Sequence, residues 1–380
     1  MTRVLLNMPS QYAGKPSGVA RMALCLIEAL LQHREFDYVL RSPWDRSELP
    51  PSLMAGGLEV LKIKRPPIMV FDVILQTIVM QLLCRRLEID LLVNFDPFGA
   101  PAGAQARVMV VHDLYFRTLP EQVGRREALT TDIIYRLMIA NHDEIITVSD
   151  ATKRDLARFY PSSAGCISTI HSAATLPPVV QGAQRPDVPG RYVLAVGNAT
   201  LNKNFKVLAQ AMAMLHESFP DLALVHVGSD PEETIAGILS SLGSAVRLVR
   251  LEGIDDATLA SLYRGALCLC VPSLYEGFCL PVLEAQGMGC PVVCSDRSAT
   301  PEIAGDAALT FDPEDPRMLA GTLGRILSTP GLSEQLVQSG LENLQRFSWD
   351  KAARQYEDVF RRALLKRGQA KRKTAAPRPT

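Results

Sequence analysis

The strongest constraint on this chain is an arrangement that occurs twice. Arg3-Val4-Leu5-Leu6-Asn7 is a short apolar strand, a loop with Gly14 and Gly18 follows, and then come Val19, Met22, Ala23, Leu26, Ile27, Leu30 and Leu31. Their i, i+3, i+4, i+7 spacing marks one buried helical face. Arg191-Tyr192-Val193-Leu194-Ala195-Val196-Gly197 opens in the same way and leads through a polar loop to a helix with Leu208, Ala211, Met212 and Leu215 on one face. Further strands are expected at residues 58–63, 89–94, 108–112 and 144–149 in the first half, and at 222–228, 246–251, 266–271 and 291–295 in the second. Most are nearly continuous apolar runs, as parallel strands covered on both faces must be. Such alternation of strand and helix builds doubly wound α/β sheets, and two openings predict two of them.

Residues 177–190 hold four prolines and two glycines, which exclude regular structure there. The expected domains are Rossmann-like units at residues 1–176 and 190–350, with a helix at about 350–366 packing back on the first and a disordered basic tail at 367–380. Ligands in open α/β sheets bind beyond the carboxyl ends of the strands. Two sheets facing each other would therefore form a cleft suited to a large polar substrate.

Charge and composition narrow the partners. Forty basic residues balance forty acidic ones, whereas a polyanion binder would be strongly basic, so nucleic acid is not expected. The chain is 47% hydrophobic and 21% charged, which excludes a disordered chain. Eight cysteines are too few for a disulfide framework, and none has paired C-x2-C spacing, so zinc is not expected; Cys268, Cys270, Cys290 and Cys294 lie in or beside apolar strands and read as buried small side chains.

The N-terminus reads as a strand and lacks the apolar core of a signal peptide, which makes a cytoplasmic location the default. Residues 68–84 form the most apolar stretch, but it is only 17 long and carries Asp72, Gln76, Thr77 and Gln81, so a buried or half-buried helix is expected rather than a membrane span. Residues 361–380 hold eight basic and no acidic residues; as the chain totals zero, residues 1–360 carry eight net negative charges. Such a tail is a disordered end on one reading. On another it holds an anionic membrane surface, at about 1 kcal/mol per basic residue.

The chemistry concentrates in Pro272-Ser273-Leu274-Tyr275-Glu276-Gly277-Phe278-Cys279-Leu280-Pro281-Val282-Leu283-Glu284-Ala285. Gly277 permits a tight turn. Pro281 suits the first turn of a helix, where its missing N–H would be unpaired anyway. The N–H groups of Phe278, Cys279 and Leu280 would then point outward from a helix N-terminus, a setting that favours an anion such as a diphosphate. Glu284, expected in the first turn, can accept hydrogen bonds from two ribose hydroxyls. Glu276, before the turn, can accept a sugar hydroxyl or stabilise positive charge developing at the ring. The plainer reading is that Glu284 caps its helix and Glu276 faces water.

Glu276 and Glu284 with the residues between them resemble the Glu-x7-Glu signature of glycosyltransferase family 4, a family of retaining, nucleotide-sugar-dependent enzymes with the GT-B fold. Leu262-Tyr263-Arg264-Gly265-Ala266, Gly289-Cys290-Pro291-Val292-Val293, Pro301-Glu302-Ile303-Ala304-Gly305-Asp306-Ala307-Ala308 and, near the N-terminus, Val111-His112-Asp113-Leu114 are similar to the same family. The resemblance covers most of residues 190–350 and, more loosely, the first domain.

It implies further roles. The loop Gly197-Asn198-Ala199-Thr200-Leu201-Asn202-Lys203-Asn204 would hold the donor diphosphate, with Lys203 as the lysine of a basic pair and Asn202 where many relatives have arginine, a departure that removes a bidentate phosphate contact. Cys279 stands where relatives usually have glycine. His112, beside Asp113, would line the sugar site, and Gly18 would let backbone approach the diphosphate, with Pro16, Ser17 and Arg21 next to it. Asp113 and Arg21 are the expected acceptor- or sugar-lining residues. No spaced Asp-x-Asp pair stands at the donor site, Asp255-Asp256 being adjacent, and no metal or cofactor is expected.

The expected activity is transfer of a hexose, mannose favoured, from a nucleoside-diphosphate sugar to a glycan or lipid-linked glycan in surface polysaccharide biosynthesis, by an enzyme with peripheral membrane contact. Closure of the two domains would exclude water from the donor. The alternative, motivated by Asn202, is a non-catalytic nucleotide-sugar-binding partner of another transferase. An NAD-dependent oxidoreductase would need a G-x-G-x-x-G turn after an opening strand, and neither opening has one.

Overall fold

A computed structural model of the chain describes residues 1–8, 17–63, 69–176 and 187–375. Gly14, Pro16, most of the proline-rich connection and the last five residues lie outside these. The chain divides into two compact units, Met1–Ser172 with Trp349–Thr380, and Ala173–Ser348.

The first unit contains a seven-stranded sheet of β1 (Arg3–Asn7), β2 (Asp37–Ser42), β3 (Glu59–Lys62), β4 (Leu91–Asn94), β5 (Ala106–Val111), β6 (Glu144–Thr147) and β7 (Ile167–Thr169). Every pairing is parallel, and the order is β3-β2-β1-β4-β5-β6-β7. Its helices are α1 (Gly18–His33), α2 (Pro51–Ala55), α3 (Met69–Arg86), α4 (Tyr115–Thr118), α5 (Arg125–Asn141) and α6 (Asp150–Phe159). The second unit repeats the plan with β8 (Tyr192–Val196), β9 (Ala223–Val227), β10 (Leu248–Leu251), β11 (Cys268–Val271), β12 (Val292–Ser295) and β13 (Ala308–Phe311), in the order β10-β9-β8-β11-β12-β13. Helices α7 (Phe205–Leu215), α8 (Thr234–Ser241), α9 (Asp256–Gly265), α10 (Leu280–Gly287), α11 (Thr300–Ala304), α12 (Pro316–Ser328) and α13 (Leu332–Leu344) belong to it. The chain then returns to the first unit as α14 (Trp349–Ala375).

Both sheets reverse their strand order once, between β1 and β4 and between β8 and β11. Loops leaving the carboxyl ends on either side of such a point part from each other and leave room for a ligand. Strands β2, β7 and β13 were not expected from the sequence. β7 and β13 are short sheet edges, held by a neighbour rather than by a long apolar run of their own.

Helix α1 forms as its spacing predicts. Ser17 caps it by accepting a hydrogen bond from the Ala20 N–H at 3.2 Å, and Met22, Ala23, Leu26, Ile27 and Leu30 are buried. Helix α3 is half-buried, one of the two forms expected for this stretch, but its buried side is not purely apolar. Met80 and Cys84 are buried, but so is Gln76, while Leu75, Ile78, Val79 and Leu82 face solvent. The Gln76 amide oxygen accepts a 2.6 Å hydrogen bond from the buried Arg41, which also donates to Asn7. A buried arginine at the end of β2 thus draws a polar residue inward, as its desolvation requires. No helix among the described residues is long and apolar enough to cross a membrane.

The basic tail also differs from the expectation. Helix α14 continues past 366, and several of its described basic residues are partnered: Arg361 with Glu35 and Asp358, Lys366 with the buried Glu144 at 2.8 Å, and Arg367 with Asp143 at 2.7 Å. Lys366 and Arg367 thus fasten the helix to the acidic start of β6.

The N-terminal end of α14 is fastened by His33. Its Nδ1 lies 3.0 Å from Glu357 and its Nε2 2.9 Å from Asp350, an arrangement that favours the imidazolium, which donates to both carboxylates. Burial opposes the charge, but the two carboxylate hydrogen bonds outweigh it and raise the pKa above 6.5. Arg354, paired with Asp350, Tyr38, whose hydroxyl faces Glu357, and the Arg361–Glu35 pair are further titratable groups there. A raised histidine pKa gives stability that is complete below the unfolded value of 6.5 and is lost as pH rises through the folded value. Urea denaturation should therefore show stability falling with pH above about 6.5, and His33→Gln should remove that slope. The same slope in both proteins would contradict the assignment.

Candidate active site

The second unit's switch point carries the residues singled out in the sequence. After β8 the backbone turns at Gly197, with φ +126°, and Gly228 passes so close that a Cβ there would lie 2.2 Å from the Gly197 carbonyl oxygen. Only glycine fits at Gly228. His226, fully buried in an otherwise apolar β9, donates from Nε2 to that carbonyl at 2.7 Å, and burial lowers its pKa, keeping the ring neutral. The loop continues past Asn198, whose side-chain oxygen accepts from the Ser229 N–H, to a 3-10 turn at Leu201–Lys203.

Three consecutive residues stitch this turn to the loop between β11 and α10. The Asn202 amide donates to the Tyr275 carbonyl at 3.3 Å, and the Leu274 N–H donates to the Asn202 carbonyl at 2.8 Å. Lys203 Nζ sits 2.7 Å from Glu276 Oε1. Asn204, in the left-handed region at φ +51°, donates to the Pro272 and Pro313 carbonyls. Glu276 Oε1 also accepts from the Ser273 hydroxyl at 2.6 Å, and the Glu276 carbonyl accepts from Ser298. Gly197 makes room for the lysine stem, since a Cβ there would lie 3.3 Å from Lys203 Cε. Asn202, at the position where the family resemblance expects arginine, thus ties two loops together.

Helix α10 starts where Pro281 predicts. Its N-cap is Cys279, at φ +76°, and no side-chain hydrogen bond closes the first turn. An L-residue in this region costs about 1–2 kcal/mol, which explains the fitness of glycine at this position. The Cys279 thiol is buried, and burial first, then the nearby Glu276 charge, raises its pKa well above 9.0, so it is inert as a nucleophile. Phe278 packs its ring edge-on against Phe347.

Glu284 corrects one expectation. It is the fifth residue of α10, and the helix's first turn contains no acid. It does not cap the helix, whose N-cap is Cys279; it is 6% exposed and accepts hydrogen bonds from Thr175 at 2.5 Å and Tyr263 at 3.1 Å.

The remaining expected residues belong to the first unit. His112 follows β5 and donates from Nε2 to the Phe95 carbonyl at 2.7 Å; burial pushes its pKa down to about 4, so the ring is neutral and Nδ1 is its acceptor nitrogen. Asp113 accepts from the Tyr115 N–H at the start of α4, and its carbonyl accepts from Tyr135. Gly18 opens α1, and Arg21 is half-buried on its first turn. The sequence reading missed Ser273, Ser298, Asn204, His226, Tyr263 and Thr175 as contributors. The first, third and fifth lay in segments already singled out; a histidine inside an apolar strand was a signal for the fourth.

Two doubly wound parallel units, the second with a lysine–carboxylate pair and a helix N-terminus at its switch point, define the chain as a glycosyltransferase of the GT-B fold. Residues 182–342 match the family described as glycosyl transferases group 1, and residues 16–174 match glycosyltransferase family 4; the chain belongs to this family. Among similar proteins, the O-antigen chain mannosyltransferase B of Escherichia coli is 28% identical over 70% of this chain and 72% of its own length. The phosphatidyl-myo-inositol mannosyltransferase of Mycobacterium leprae is 30% identical over 62% of this chain and 64% of its own. The MMP alpha-(1->4)-mannosyltransferase of Mycolicibacterium hassiacum is 32% identical, but the match spans less than half of either chain, 46% of this one and 44% of the relative.

Solved structures share the fold. Sucrose-phosphate synthase from Thermosynechococcus elongatus has a TM-score of 0.79 at 21% identity, covering 96% of this chain and all of that one. Anabaena HepE in complex with UDP-glucose has a TM-score of 0.72 at 17% identity, covering 95% of this chain and 99% of that one.

Proposed function

We propose that this glycosyltransferase moves a hexose, mannose favoured, from a nucleoside-diphosphate sugar to a glycan or lipid-linked glycan acceptor, with retention at the anomeric carbon. The observation that carries the reading is the Lys203–Glu276 pair beside the uncapped start of α10. In this reading the diphosphate takes Lys203 Nζ and the first N–H groups of α10, where ammonium and helix dipole stabilise the charge that grows as the sugar–phosphate bond breaks. They do so without a bound metal. The Glu276 carboxylate, released from the lysine, stabilises positive charge on the sugar ring or accepts one of its hydroxyls. Glu284 accepts the ribose hydroxyls of the nucleotide, and neutral His112 offers Nδ1 to a sugar hydroxyl.

The names of three similar proteins, all mannosyltransferases, support mannose. UDP-glucose bound to the Anabaena structure supports a nucleotide-sugar donor. Lys203→Ala and Glu276→Ala should each lower the transfer rate by about two to three orders of magnitude, measured as nucleoside-diphosphate release with GDP- and UDP-sugars. Wild-type turnover in both variants would contradict the reading.

A lipid-linked acceptor implies contact with an anionic lipid surface, and the first unit has a suitable face. Met80 and Cys84 of α3 pack with Leu5, Val39 and Leu92, and α5 packs with Met109 and Val111. Strand register puts Leu5 beside Val39 and Leu92, and Asn94 beside Met109, so α3 and α5 cover the same face of the sheet. Outward, α3 exposes Leu75, Ile78, Val79 and Leu82, and α5 exposes Leu129, Ile133 and Leu137. Arg85, Arg86, Arg125, Arg126 and Arg136 flank these stripes on the exposed side. Apolar side chains bordered by arginine suit an anionic bilayer. The chain should sediment with phosphatidylglycerol-rich vesicles, and a Leu129→Ser, Ile133→Ser, Leu137→Ser variant should not. Equal sedimentation of both, or a concentration-dependent dimer abolished by the same changes, would contradict a lipid surface.

A further inference from the structure

Glu284 is buried, and each of its carboxylate oxygens accepts a hydroxyl from a different part of the second unit. Thr175, ahead of β8, donates to Oε1 at 2.5 Å; Tyr263, on α9, donates to Oε2 at 3.1 Å. Tyr263 is fully buried. Burial above all, then the Glu284 charge, raises its pKa well above 10.0, so the phenol is a hydrogen-bond donor at every working pH. Packing alone would be served by phenylalanine at Tyr263. A hydroxyl kept in an apolar setting needs its partner, and a carboxylate there needs its donors.

Donors from two directions, Thr175 at one oxygen and Tyr263 at the other, hold both the rotation and the position of the carboxylate. Ribose presents its 2′- and 3′-hydroxyls as an adjacent pair, and a carboxylate can meet both only if its plane is held. We propose that Tyr263 and Thr175 are positioning residues that orient Glu284 for the ribose, and that they thereby set the preference for a ribonucleotide over its 2′-deoxy counterpart. The inference rests on Glu284 as the ribose acceptor.

The test is the ratio of dissociation constants, 2′-deoxy over ribo, measured by calorimetry with UDP against 2′-deoxy-UDP and GDP against 2′-deoxy-GDP. The unmutated chain should prefer the ribonucleotide about ten-fold or more, the size of a hydrogen bond to a charged group. Glu284→Ala should abolish the preference. Tyr263→Phe should shrink it several-fold, and so should Thr175→Val, which acts at the other oxygen and serves if the first variant does not fold. A merely structural role would weaken both nucleotides alike and leave the ratio unmoved. Folded variants at Tyr263 and Thr175 that keep the wild-type ratio, while Glu284→Ala loses it, overturn the inference alone. A preference that survives in Glu284→Ala, or its absence from the unmutated chain, removes the ribose reading and this inference with it.

Discussion

The Lys203–Glu276 ion pair is the contact on which the rest of the second unit's site depends. Their side chains are 21% and 10% exposed, so both charges are largely out of water. Desolvation of this kind offsets much of the Coulombic gain, and a pair kept only for stability would be a poor bargain for the fold. Under the proposed function the pair is a poised exchange: an incoming diphosphate would offer the lysine a more highly charged partner, and the carboxylate would then turn to the sugar. The exchange needs the two loops in register, which Asn202 and Asn204 secure through side-chain hydrogen bonds to the Tyr275 and Pro272 carbonyls.

Why these loops meet is a matter of topology. Strand order reverses between β8 and β11, so the connections that leave them diverge to opposite faces of the sheet. Gly197 and Gly228 let the first connection start from a backbone crossing too close for any side chain. His226 holds that crossing with one hydrogen bond, at the cost of leaving its own Nδ1 buried without a partner. The site is therefore supported by strand ends and glycines, and its charged groups are the last layer added.

Much of this was legible in the sequence. Long apolar strands and amphipathic helices announce themselves because their periodicity is local, and the segment around Glu276 carries its own turn and helix-start residues. What was not legible depends on partners distant in the chain. Strand β7 is three half-buried residues that become a strand only because β6 lies beside them. Gln76 turns inward because Arg41, on another strand, needs an acceptor. Glu284 sits a turn deeper than expected because α10 starts at Leu280, and no local pattern reveals that Thr175 and Tyr263 converge on it. The basic C-terminus reads as a free tail until Asp143 and Glu144 are placed beneath it.

The most direct measurement is a crystal structure of this chain with a nucleoside diphosphate bound. The account predicts a phosphate oxygen within hydrogen-bond distance of Lys203 Nζ, others at the first backbone N–H groups of α10, and the Glu276 carboxylate turned away from the lysine. A diphosphate seated elsewhere, with Lys203 and Glu276 still joined, would contradict it.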